Sequence, residues 1–66
     1  MQTFDSKKVY TLQILFPDRN PITGIIVPGA QLEETIRNCR EYYPTYKKIV
    51  IYEADTKEAV AIIRPE

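Results

Sequence analysis

The alternation of apolar and polar positions divides the chain into five elements. In Val9–Phe16 (VYTLQILF), Tyr10, Leu12, Ile14 and Phe16 alternate with Val9, Thr11, Gln13 and Leu15. A period of two in β-branched and aromatic residues predicts a strand with the Tyr10 set facing the core. Pro17, Asp18, Arg19, Asn20 and Pro21 read as a turn, because proline lacks a backbone donor and Asp and Asn favour turn geometry. Ile22–Val27 resumes as a second strand antiparallel to the first, with Gly24 marking a bulge.

After Pro28 the period changes. Gly29 or Ala30 opens the next element, and from Gln31 the apolar residues fall at Leu32, Ile36, Cys39 and Tyr43. Steps of four, three and four trace one face of a helix. Glu33 and Glu34 lie at its start, where the helix dipole favours carboxylates, and Glu33 is spaced to pair with Arg37. Pro44 ends it, since the residue before a proline avoids helical angles.

Lys48–Glu53 (KIVIYE) and Glu58–Arg64 (EAVAIIR) then read as a hairpin around Ala54–Lys57. Two registers compete. One sets Glu53 opposite Glu58, and the other places Ala54 there and avoids the like-charge pair. The second puts Ile49, Ile51, Ala61 and Ile63 on one face and Val50, Tyr52, Val60 and Ile62 on the other.

The order β-β-α-β-β predicts an α+β two-layer sandwich, with one amphipathic helix on a four-stranded, mostly antiparallel sheet. Residues 1–7 read as a flexible lead-in to a single domain over 8–66. Phe4 is the one bulky residue able to fold back as a lid.

This pattern leaves a surplus. One helix covers one face of the sheet, and the other face of a monomer should be polar. Yet the last hairpin is apolar on both sides, the second strand carries Ile22, Ile25, Ile26 and Val27, and Val9 and Leu15 add to the excess. A large exposed apolar patch marks an interface. The leading expectation is therefore a non-catalytic protein-binding module, a regulator or inhibitor of a larger protein, which self-associates or binds its partner through Val50, Tyr52, Val60 and Ile62. The competing expectations are that Phe4 and the N-terminal segment cover that face, or that edge residues are simply half exposed.

Composition narrows the alternatives. A chain of 66 residues with nine basic and nine acidic side chains has no net charge, whereas a protein that grips a nucleic-acid backbone usually carries a basic excess. The stretch EYYPTYKK still suggests a second class, a single-strand binder that stacks bases on Tyr42 and Tyr46, with Lys47, Lys48, Arg37 and Arg40 on phosphates. Against it stands an architectural reading, in which Tyr43 completes the helix stripe and Tyr42 and Tyr46 cap the end of the core with their hydroxyls wet.

Catalytic chemistry is not indicated. There is no histidine and only one cysteine, so no disulfide, zinc set or His-activated thiol can be assembled. Glu33 and Glu34 point about 100° apart on a helix, Asp55-Thr56 is turn chemistry, and PITG and VPG each hold one glycine, too few for a phosphate loop. No catalytic residue, metal, cofactor or small-molecule substrate is expected. No membrane partner is expected either, since the longest apolar run is Ala59–Ile63. The single thiol points to a reducing cytoplasm.

The stretch Ile26–Glu53, with Val27-Pro28 leading into the helix and Lys48-Ile49-Val50 opening the next strand, resembles the small phycobilisome linker domains of the CpcD type. That implies a small linker-type domain in a larger assembly. The chain departs from those domains in carrying Tyr46-Lys47 where they have Gly-Gly before the lysine, and in its fourth strand, so no site residues are carried over. The element order is also similar to a β-grasp, but Arg64-Pro65-Glu66 lacks the Gly-Gly tail of ubiquitin-like modifiers.

Overall fold

A computed structural model describes residues 4–65. It shows one helix on a four-stranded sheet: β1 (Val9–Leu15), β2 (Ile22–Pro28), α1 (Leu32–Tyr42), β3 (Lys48–Glu53) and β4 (Ala59–Ile63). The strand order is β2-β1-β3-β4, and each neighbouring pair is antiparallel. β2 and β3 therefore run parallel with β1 between them, and α1 crosses over the sheet to connect them. A β-grasp sets its first and last strands side by side in parallel. Here β4 lies at an edge, so the likeness stops at element order.

Element boundaries follow local chemistry. β2 runs on through Pro28, which an edge strand tolerates because its missing donor is not needed. A single 3-10 turn, Gly29–Gln31, precedes α1, and the Leu32 N–H donates to the Gly29 carbonyl. Glu33 and Glu34 occupy the first turn of α1 and Arg40 the last. Glu33 forms no ion pair with Arg37 among the described residues. The helix stops before Pro44 as expected, where Tyr43 leaves helical angles while its N–H still reaches the Cys39 carbonyl.

The core lies between α1 and one face of the sheet. Leu32, Ile36 and Cys39 of the helix meet Tyr10, Leu12, Ile14 and Phe16, with Val27, Ile49, Ile51, Ala61 and Tyr46. Tyr43, expected in this core, is only partly buried, with its ring edge-on to Phe16 at 5.8 Å between centroids. The Arg19 guanidinium stacks over the same Phe16 ring at 3.9 Å.

Both edge strands carry bulges. In β2 the pairing shifts between Leu12 and Ile14, around Gly24 at φ +82°, as the sequence anticipated. In β4 it shifts between Ile51 and Tyr52. Ile49, Val50 and Ile51 face Ile63, Ile62 and Ala61, the register that avoids paired glutamates. The extra residue at Val60 then brings Tyr52 opposite Ala59, and the Glu53 N–H donates to the Glu58 carbonyl at 2.9 Å. The two glutamates thus end up opposite each other after all. The Glu53 carboxylate is neutralised by Lys8 at 3.3 Å instead, and that partner raises the pKa of Lys8.

Residues 1–3 of the expected lead-in, and residue 66, lie outside the described part. Residues 4–7 form a turn against the body of the domain. The Asp5 N–H donates to the Tyr10 hydroxyl, its side chain accepts from the Lys7 N–H, and its carbonyl accepts from the Lys8 N–H. That carbonyl sits where a Cβ on Gly29 would be, so residue 29 has to lack a side chain. Phe4 packs edge-on to Tyr10 at 5.6 Å, on the helix side of the sheet.

Candidate functional site

With Phe4 on the helix side, the opposite face of the sheet is uncovered by the described residues. Strand alternation sets Val9, Thr11, Gln13 and Leu15 of β1 on it, together with Lys48, Val50 and Tyr52 of β3, Val60 and Ile62 of β4, and Ile26 of β2. Ile26 is 69% exposed and Ile62 48%; Val9 and Val60 are similarly open. Among the described residues Tyr42 is the one other large apolar residue so exposed, and it lies on the helix.

The four residues singled out from sequence fall together on this face, although they differ in access. Val50 is only 6% exposed, walled in by Gln13 on one side and Ile62 on the other. Tyr52 is half-buried, and its hydroxyl donates to the Gln13 side-chain oxygen at 3.1 Å. Val60 and Ile62 stand outward. Ile26, Val9 and Leu15 extend the patch across the sheet to the far edge.

Two properties make this face suited to burial. Its central polar pair, Tyr52 and Gln13, is already hydrogen-bonded within the chain, so on covering that pair the Gln13 amide N–H donors are what a partner has to satisfy. Both neighbouring edges are blunted by bulges, and β2 is further closed by Pro28, devices that discourage a foreign strand from joining the sheet. The sheet thus offers a partner its face rather than its edge.

The second candidate, the tyrosine and lysine corner, is split by the fold. Tyr46 is 5% exposed and belongs to the core, so its ring is not available for stacking. Nor is its hydroxyl wet; it is buried without a hydrogen-bond partner among the described residues. Tyr42, 80% exposed, is the accessible ring. Two positions separate it from Arg40, which places the two about 160° apart around the helix axis. Lys48 belongs to the open sheet face and Lys47 is exposed beside it, its N–H bonded to the Leu15 carbonyl. These groups do not share one surface.

Arg37 and Arg40, three positions apart, do share a flank of α1. With Glu41, Pro44, Tyr46 and Pro65 they line an open cleft of about 390 Å³. Sequence reasoning did not anticipate a concavity of this size, because its walls come from the helix flank, from the connection between α1 and β3, and from Pro65 after the last strand. Cys39 is a free, buried thiol, and burial pushes its pKa up, away from the reactive thiolate. No group of His, Cys, Asp and Glu suited to a metal ion occurs among the described residues, and none of their helices is long and apolar enough to cross a membrane.

Comparison with protein-family models, curated proteins and solved structures finds no match to this chain.

Proposed function

We propose that the protein is a non-catalytic binding module whose contact surface is the open face of its sheet, and that the first occupant of that face is a second copy of the chain. The observation that carries this is the placement of Phe4. Phe4 packs on the helix side, and among the described residues Ile26, Val60, Ile62 and Val9 are left exposed together.

Magnitudes favour a partner as apolar as the face itself. Covering Ile26, Val60, Ile62 and Val9, each roughly half exposed, contributes on the order of 1 kcal/mol apiece. Association costs about 4–15 kcal/mol in lost translational and rotational freedom. One such set against a polar surface falls short. Two sets facing each other, with Tyr52 and Leu15 added, reach the lower part of that range. The expected dimer is therefore weak, with a Kd above about 1 μM, and the same face is open to a larger protein that the module would regulate or inhibit. A cytoplasmic setting goes with this reading, since a lone, buried Cys39 leaves the chain without a disulfide of its own.

Sedimentation equilibrium from micromolar to millimolar protein tests the reading. Concentration-dependent dimer for the natural chain, with a folded monomer at every concentration for Val60→Glu/Ile62→Lys, is the expected result. A natural chain that stays monomeric throughout would remove the second copy as occupant. A double variant that unfolds would make these residues part of the core instead.

A further inference from the structure

On an open face that is otherwise apolar, Gln13 and Tyr52 stand at the centre as a polar pair. We propose that this pair fixes how two copies of the chain meet, an inference that rests on the reading of that face as the contact between copies. The two-fold axis runs across the strands at the level of the Leu12–Ile51 pair, and each Gln13 amide donates to the second copy's Tyr52 hydroxyl.

The first argument is one of donors and acceptors. The Tyr52 hydroxyl donates to Gln13 Oε1 at 3.1 Å. That bond uses the only proton of the hydroxyl and leaves its oxygen able to accept, while the Gln13 amide keeps two N–H donors. Those donors have no acceptor among the described residues. The amide nitrogen is also open to solvent, since the one side-chain polar atom both buried and unpartnered among the described residues is the Tyr46 hydroxyl. Each copy thus offers the acceptor that the other copy's donors need. A face complementary to itself is what an isologous two-fold contact requires.

The second argument is register. Gln13 lies one residue to one side of the Leu12–Ile51 level, and Thr11 and Tyr52 lie one residue to the other. Sheets pack face to face about 10 Å apart with their strands nearly aligned. A half-turn about an axis across the strands then lays β1 antiparallel on β1 and β3 on β3. Gln13 comes over the second copy's Thr11 and beside its Tyr52, so the Thr11 hydroxyl offers an acceptor for the second amide hydrogen. The same turn sets Leu15 over Val9 and Ile62 over Val60. Ile26, the most exposed apolar residue described on this face, comes over the second copy's Gly24. Nothing lies within 4 Å of where a Gly24 side chain would begin, so the space for Ile26 is there.

Charge selects this turn over the other one. Lys48 pairs with Leu15 at one end of the face. Antiparallel strands send the two Lys48 side chains to opposite ends, about 20 Å apart by strand rise. An axis along the strands would instead set both at the same end, a like-charge contact that disfavours that arrangement. A polar pair inside an apolar contact is best known for fixing register in this way.

The test uses the full chain at millimolar concentration, as an equal mixture of 13C-labelled and unlabelled protein. Isotope-filtered NMR should show cross-peaks between copies from the Gln13 side-chain amide to the Tyr52 ring and the Thr11 methyl, and from Ile62 to Val60. In sedimentation equilibrium, Tyr52→Phe should weaken association about tenfold or more, because two hydrogen bonds are lost per dimer and Gln13 is left unsatisfied. Tyr52→Phe/Gln13→Leu should recover most of that loss, since no polar group is then stranded. A dimer without those cross-peaks, or one that Tyr52→Phe leaves at its natural affinity, overturns this inference alone and keeps the second copy as occupant. A natural chain that stays monomeric at every concentration overturns both.

Discussion

The two faces of the sheet carry apolar residues of the same kinds, and those residues have opposite fates. On the helix side, Leu12, Ile14, Ile49 and Ile51 are sealed beneath Leu32. On the other, Val50 alone reaches comparable burial, and Ile26, Val60 and Ile62 stand in the open around it. Residue type does not separate the two sets; the placement of α1 and of Phe4 does. Apolar content in a strand thus measures what a face can bury, and the covering element decides whether that capacity serves folding or association.

The comparison can be broken by removing matched groups from each side. The largest loss is expected for Ile51→Ala, which empties a fully buried site. Such truncations cost about 2–5 kcal/mol, most of the stability of a domain this small, so urea denaturation followed by circular dichroism should find it largely unfolded. Gly29→Ala comes next. Its methyl group would occupy the position of the Asp5 carbonyl, so the turn at residues 4–8 must shift, at about 1–3 kcal/mol. Loss of the Phe4–Tyr10 contact in NMR spectra would accompany it. Ile62→Ala on the open face should cost less than about 1 kcal/mol in dilute solution, yet weaken self-association measurably. If it cost as much as Ile51→Ala, the two faces would be one core and the contrast would be void.

The smallest effect concerns Cys39. Burial raises its pKa in the folded state. The unfolded chain therefore loses the thiol proton first as the pH rises. Stability is fully present below the ordinary thiol range, near 8.5, and declines above it until the folded thiol also ionises. Cys39→Ala should flatten that part of the pH–stability curve, and native Cys39 should react with thiol reagents far more slowly than the urea-unfolded chain.

The helix and strands were legible because their periods are strong. Leu32, Ile36 and Cys39 needed only the helical repeat, and the Tyr10 set only the alternation. Gly24 was readable as a bulge, because a glycine inside an apolar strand has few other uses. The hairpin register was half legible. Charge avoidance between Glu53 and Glu58 chose correctly for Ile49–Ile51, but Val60 added a residue and restored the pair. Lys8, more than forty positions away in sequence, makes the restored pairing tolerable, and no local rule could have supplied that. Phe4 and Tyr46 were the hardest to place. Each stands alone in a polar or proline-bearing stretch with no period, so its burial depends on what the rest of the chain brings to it. The open face was anticipated as a surplus of apolar residues. The cleft was not, since Pro65 meets the helix flank only in three dimensions.

The central position of β1 has a consequence for how the chain folds. β1 with β2, and β3 with β4, are hairpins between near neighbours in sequence, whereas β1 with β3 joins Tyr10 to Glu53 and Leu15 to Lys48 across the full span of β2 and α1. Loop closure of that length must precede any reward from the seam, and distant pairings slow folding. The hydrogen bonds between β1 and β3 are thus the step at which two local hairpins become one sheet, and stabilising that seam is the direct way to speed the reaction.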